Sequence, residues 1–517
     1  MSQSTKGKLS LVALSLMIFT SVYGFNNIPR AFFKMGYGAI PWYIIGGLFF
    51  FIPFAFMVTE LGSAFKKEKG GIYSWMSKAV GPTYAFIGTF MWYASYIIWM
   101  VSISNTILVP LSNVIFGTTK LPSTFIVSII AAIFMIIVTF LSIKGLDSIK
   151  RVASVGGIAV LALNVILILG AVIVLIAHGG QFATPINLHS FVSSPNPTFS
   201  PSLVAFIAFM VYAIFAYGGV ESVGGLVDQT DKPEKNFPKG IIISALIITV
   251  GYSVAILCVG FFVNYGSDWT QGIKDNAIHL GNIGYVMMSN LGNQVGLSLG
   301  MNASSATFLG EVLARFTGIS MFLAYMGAFF TLIYSPAKQI IEGTPEKLWP
   351  GKLGQIEDNM PKHAMKLQCL IVIIIIGINA LISLADEGAA SMFFEVLTNM
   401  SNVSMTLPYL FIIYAFYRFK KNKDIEKPFT IINGKIVITL LTIVVMIVVG
   451  FANLFSIVQP FVDYFQATFA TQAEQSAAFA SALRTCLSMV GGPIIFALIA
   501  YFLMRRYNKN YKNNNND

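Results

Sequence analysis

Apolar runs of roughly twenty residues recur about twelve times along this chain, over 9–34, 39–64, 83–113, 122–143, 153–178, 201–225, 239–264, 308–340, 367–385, 390–417, 433–458 and 483–504. Each is long enough to cross about 30 Å of hydrocarbon as a helix. The bilayer interior offers no water to unpaired backbone, so runs of this length and continuity must close their hydrogen bonds within the helix. The feature therefore dictates an all-α polytopic membrane protein. With 56% hydrophobic and 11% charged residues among 517, no water-soluble fold could hide so much apolar surface. The first run has no small-residue cleavage site and is expected to remain as a span.

A net charge of +11 raises the question of an acidic or nucleic-acid partner. The basic residues instead gather in alternate loops: Lys66, Lys67 and Lys69; Lys144, Lys150 and Arg151; Arg418, Lys420, Lys421 and Lys423; Arg505 and Arg506. By the positive-inside rule these loops, and both termini, are cytoplasmic, and no nucleic-acid partner is expected. Cys258, Cys369 and Cys486 lie in separate spans, and His178, His189, His279 and His363 are scattered. Neither set has metal-ligand spacing or forms a catalytic cluster, so no metal, cofactor or enzymatic activity is expected. The segment 64–82 mixes Lys with Trp and Tyr as an interfacial helix would, and 265–307 is a long outer segment with a short surface helix near 283–288. The tail 505–517 is low-complexity and expected to be disordered.

Two spans are interrupted. The first contains "FTSVYGFNNIP" at 19–29 and the sixth "FAYGGVESVGG" at 215–225, so Tyr23-Gly24 has a counterpart in Tyr217-Gly218. Breaks at the first member of two groups of five spans, 9–178 and 201–417, point to inverted repeats with a site between them, followed by two additional helices over 433–504. A broken helix frees N–H groups at one end and carbonyls at the other, which suits the anionic and cationic halves of a zwitterion. Gly24 and Gly218 are expected to reject larger residues because the backbone approaches a ligand there; close helix packing is the competing explanation for both.

The stretches "TSVYGFNNIP", "ELGSAFKKEKGGIYSWMSKAVGP" and "YGGVESVGGLVDQTDKPEKNFPKGI" resemble the amino acid-polyamine-organocation superfamily, in particular its glutamate/GABA antiporter branch, over roughly residues 8–505. The resemblance implies a five-plus-five inverted-repeat fold and a small-molecule amino acid or amine substrate. It implies that backbone amides of Tyr23 and Gly24 hold the substrate carboxylate. Carbonyls of Thr20, Phe215 and Gly218 would hold its amine, with Ser21 and Gly219 beside them and the Phe215 ring as a gate. Many relatives carry Gly-Ser/Ala-Gly where this chain has Val22-Tyr23-Gly24, so the bulky Tyr23 is expected to reshape the pocket.

Glu221 is an acid inside an apolar span, which must be neutral or partnered; it is either a structural hydrogen-bonding group or the residue that couples protons to transport. Glu311 and Arg315, four apart on the eighth span, are expected to pair or to gate the outer face, and Glu395 in the tenth span is a second gating candidate. Tyr96 and Trp99, three apart on the third span, share a face and either pack or line the pathway. The resulting expectation is a secondary active transporter, antiporter or proton-coupled, in a bacterial cytoplasmic membrane. A sodium-coupled symporter using Ser320 is the alternative, and a receptor, enzyme or channel fits less well. Monomer and homodimer are both compatible with this pattern.

Overall fold

The computed structural model describes residues 8–117, 119, 123–197, 203–227, 229–275 and 277–512. Among them the only β-structure is a pair of isolated bridges, and ten helices are long and apolar enough to cross a membrane. The two predicted spans missing from that set as continuous helices are the first and the sixth. The first is split into Leu11–Val22 and Asn27–Met35, the latter continuing into the second span, which ends at Ala64. The sixth runs as Leu203–Phe215, then four residues of turn, then a 3-10 stretch over Val220–Leu226. The other ten match the predicted apolar runs in order.

Helix boundaries differ from the apolar runs where polar residues extend a helix past the hydrocarbon. The fifth span begins at Leu146 rather than near 153, so Lys150 and Arg151 sit on its first turns, where Lys150 pairs with Asp147 at 3.2 Å. The twelfth begins at Gln472, well before the apolar stretch, because the Thr471 hydroxyl accepts the Glu474 N–H and the Glu474 carboxylate accepts the Ala470 N–H. It continues through Tyr507, so helix covers the start of the tail expected to be disordered; residues 513–517 lie outside the described residues. The segment 265–307 holds a 16-residue helix, Ile283–Ser298, longer than the short surface helix expected near 283–288.

The exposure pattern is that of a protein dissolved in lipid. Ile133, Ile136, Ile137 and Phe140 of the fourth span and Ile436, Leu440 and Ile447 of the eleventh are exposed, while Ser and Thr side chains are buried between helices. Contrary to the interfacial expectation, the helix Gly71–Ala79 buries Ile72, Tyr73, Trp75 and Met76 and packs into the protein. Gln339 of the eighth span explains why: its side-chain oxygen accepts the Ile72 N–H at 2.8 Å while its amide donates to the Ser222 carbonyl at 3.0 Å. One glutamine thus ties that helix to the eighth and sixth spans.

The first, second, sixth and seventh spans are joined by tyrosines. Tyr23 stacks on Tyr252 with centroids 4.4 Å apart, Tyr217 stacks on Phe51 at 4.8 Å, and the Tyr217 hydroxyl donates to the Tyr43 carbonyl at 2.9 Å. Such ring contacts add to area burial and make these four spans one packed body. The start of the first span is further fastened to the end of the sixth, since Leu9 exchanges backbone hydrogen bonds of 2.8 Å with Gln229 and Asp231.

Candidate functional site

Between residues 22 and 27 the chain leaves the helix because Gly24 and the paired asparagines accept turn geometry inside an apolar run. Tyr23 is extended (φ −82°, ψ 101°), and a turn over 25–26 re-starts the helix at Asn27. The Tyr23 N–H still closes the last turn onto the Phe19 carbonyl at 2.8 Å, and the Gly24 N–H donates to the Tyr252 hydroxyl at 2.9 Å. The two amides expected to hold a carboxylate are therefore engaged within the protein. Those of Phe25 and Asn26, the next two, have no acceptor among the described residues, and at the other side of the break the carbonyls of Ser21 and Val22 have no donor. The separation of unpaired donors from unpaired acceptors is present, displaced along the chain from the expected positions.

The sixth-span break completes the site. Gly219 has φ +119°, and a Cβ there would stand 2.4 Å from the Ser21 carbonyl oxygen, so the two breaks meet backbone to backbone. A Cβ at Gly218 would instead meet the Tyr409 hydroxyl at 2.9 Å. At Gly24 the nearest atom is the Asn27 side-chain amide at 3.1 Å, so of these three glycines it is Gly219 that meets the backbone of the other break. Both breaks line one cavity of about 330 Å³, within the range of small-molecule sites. Ser21, Tyr23, Gly24, Phe215, Gly218 and Gly219 all contribute to its wall, as do Tyr96 and Trp99 from the third span. Its wall also carries Asn26, whose amide donates to the Tyr325 hydroxyl at 3.2 Å, and Arg30.

Tyr23, on the cavity wall, is held by two further contacts. The ring lies flat on Tyr252, and its hydroxyl donates to Asn164 of the fifth span at 2.6 Å. This packing holds the bulky Tyr23 in place on the cavity wall.

Glu221 is fully buried behind the cavity wall. One carboxylate oxygen accepts from Trp92 Nε1 at 3.0 Å and from the Tyr96 and Tyr409 hydroxyls at 3.2 Å each; the other accepts the Gly219 N–H at 3.2 Å. The indole and the backbone amide can only donate, so each oxygen has a permanent donor. Tyr96 and Tyr409 both also line the cavity, so Glu221 reaches it through two hydroxyls rather than directly. Trp92 and Tyr409 were not singled out in the sequence. Trp92 could have been, since it lies four residues before Tyr96 on the same helical face; Tyr409 is distant in sequence and carries no local signal.

Glu311 and Arg315 do not form an ion pair, although their spacing permits one. Arg315 is turned toward the end of the third span, where a Cβ on Gly117 would lie 3.3 Å from its guanidinium. Both line a second cavity, separate from the site between the breaks. Ser320 is buried on the eighth span. The side chains of Thr20 and Glu395 lie outside the described residues.

The family model described as amino acid permease matches residues 9–473. Among curated proteins, the inner membrane transporter YjeM of Salmonella typhimurium is 49% identical over 97% of this chain and 96% of its own. The aspartate/glutamate permease AcaP of Lactococcus lactis subsp. cremoris is 24% identical over 79% of each chain. A manganese transporter of Eremococcus coleocola, solved with an aromatic bis-isothiourea substituted compound, superposes with TM-score 0.57 over 96% of this chain and 95% of that one, at 14% identity. That likeness concerns the fold, which is the inverted-repeat transporter type with two broken helices. With the family model covering most of its length, this chain belongs to the amino acid permease family of membrane transporters.

Proposed function

We propose that the protein is a secondary active transporter that carries an amino acid or related amine across the bacterial cytoplasmic membrane by alternating access, both termini facing the cytoplasm. The observation that carries this reading is the cavity at the meeting of the two breaks. The unpaired N–H groups of Phe25 and Asn26 suit a carboxylate, and the unpaired carbonyls of Ser21 and Val22 suit an ammonium group. The tyrosine-joined body of the first, second, sixth and seventh spans is the unit that would rock against the rest. Phe215, on the cavity wall, is the gating ring.

Glu221 is the coupling residue in this reading. A proton reaching it from the cavity would pass through the Tyr96 or Tyr409 hydroxyl, each of which can accept and donate in turn. The two repeats at 9–178 and 201–417 and the additional pair at 433–504 form the domain organisation that goes with it.

The test is transport by purified protein in liposomes, with a panel of acidic, neutral and basic amino acids and their decarboxylated amines offered under imposed pH and sodium gradients. The relative's name puts aspartate and glutamate first in the panel. Saturable exchange of a panel member that responds to pH and ignores sodium is expected. Exchange that requires sodium would replace the proton with a sodium site near Ser320, and no exchange of any member would end the reading.

A further inference from the structure

The outer cavity holding Glu311 and Arg315 has a volume of about 900 Å³ and is lined with polar side chains, among them Asn113, Asn282 and His279. It stands over the central cavity on the same two helical walls. On the third span Ile103 lines the central cavity and Asn113 the outer one; on the eighth, Tyr325 lines the central cavity and Arg315 the outer one. Ten residues separate the members of each pair, along one helix in the eighth span and through a turn at Ile107 in the third, so the two cavities are offset by about 15 Å. Arg30 connects them: it lines the central cavity and donates from Nε to the carbonyl of Leu280, between the outer-cavity residues His279 and Asn282.

Within the outer cavity one anion and one cation lie on a single helical face and are not paired with each other or with any other charged group among the described residues. Opposite charges four apart on a helix ordinarily meet. Here the guanidinium lies beside Gly117 and the exposed Glu311 carboxylate is open to the cavity. An unpaired cation and an unpaired anion on one cavity wall complement the two charges of a zwitterion. We propose that this outer vestibule is a second binding site, for the α-amino and α-carboxylate groups of an amino acid, with Arg315 taking the carboxylate and Glu311 the ammonium group before the substrate descends past Arg30. The inference rests on the amino acid transport reading above.

Both charges are solvated, so the site is weak and sensitive to salt, and its effect falls on capture rather than on turnover. The test uses L-alanine, L-glutamate and 4-aminobutyrate as labelled probes, with wild type, Arg315→Gln, Glu311→Gln and the double variant. These exposed positions leave the packed body and the central cavity untouched, so folding is preserved. For whichever probes wild type exchanges, each single variant is expected to raise KM about fivefold at unchanged kcat, and the double variant little further, because one ligand bridges both charges. Raising ionic strength is expected to raise the wild-type KM and leave that of the double variant flat. Equilibrium binding in nanodiscs should give two probe molecules per wild-type chain and one for Arg315→Gln. Wild-type exchange with one bound probe per chain and a KM indifferent to both substitutions would overturn the vestibule site and leave the transport reading standing. Absence of exchange of all three probes and of the wider amino acid panel by wild type would overturn both.

Discussion

Replacing Gly219 by alanine tests whether the two helix breaks must touch for the protein to work. The residue sits at φ +119°, and the added methyl would stand 2.4 Å from the Ser21 carbonyl oxygen. That oxygen belongs to the main chain of the other break, so it cannot rotate aside as a side chain would. The backbone strain costs about 1–3 kcal/mol and the overpacking about 1–3 kcal/mol more. A combined penalty of about 4 kcal/mol lowers the population of the closed-up arrangement about a thousandfold, at about 1.4 kcal/mol per factor of ten. The lipid-facing surface is unchanged, so the variant should still insert and elute as a single species from size-exclusion chromatography. Its exchange rate in liposomes should fall by at least about a hundredfold, discounting for partial relaxation. The control is Gly24→Ala, where the new methyl meets only the Asn27 amide at 3.1 Å and at most the bond from that amide to Tyr252 is disturbed. A loss of up to about fivefold is expected there, the worth of one neutral hydrogen bond. Wild-type exchange by Gly219→Ala, or a larger defect in Gly24→Ala than in Gly219→Ala, would refute the argument.

Other expectations follow from the same geometry. Glu221→Gln cannot titrate, and its amide must point a donor at either the Trp92 indole or the Gly219 N–H, both of which only donate; exchange should persist at a reduced rate, and its dependence on external pH should flatten, as read from rates measured across a pH series. Tyr409→Phe removes a hydroxyl that accepts from Gly219 and donates to Glu221, so it should slow exchange and shift that pH profile while the melting temperature changes little. On the far side of the molecule the buried Glu60 carboxylate binds Lys420 at 2.7 Å and accepts the N–H groups of Ile431 and Ile432 at 2.7 Å each. Lys420→Met leaves that charge without its cation and should cost about 3–5 kcal/mol, measured as a lower thermal melting point, which Glu60→Gln in the same chain partly restores.

The sequence by itself determined the solvent, the secondary structure and the places where the helices fail. Hydrocarbon permits long apolar runs one way of pairing their backbone, so twelve spans could be counted from composition along the chain. The breaks at Tyr23-Gly24 and Tyr217-Gly218 were legible for a similarly local reason: glycine and asparagine in an apolar run weaken the helix wherever they occur. Spacing also placed Tyr96 and Trp99 on one face, and both line the central cavity.

Tertiary structure decided what those local features meet. The side-chain partners of Glu221 come from the third and tenth spans, over 100 residues away in each direction, and no periodicity links an acid to donors at such distances. It moved the free amides from Tyr23 and Gly24 to Phe25 and Asn26, because the Tyr252 hydroxyl on the seventh span captures one of the expected donors. It made Gly219 the point where the two breaks meet backbone to backbone, since that depends on where the other break lies in space. It also left Glu311 and Arg315 unpaired where helical spacing permits a pair, with the Arg315 guanidinium beside Gly117 at the end of the third span. Local chemistry fixes where a helix ends and which groups it leaves unpaired; only the packing of distant spans decides which of those groups stay free to bind.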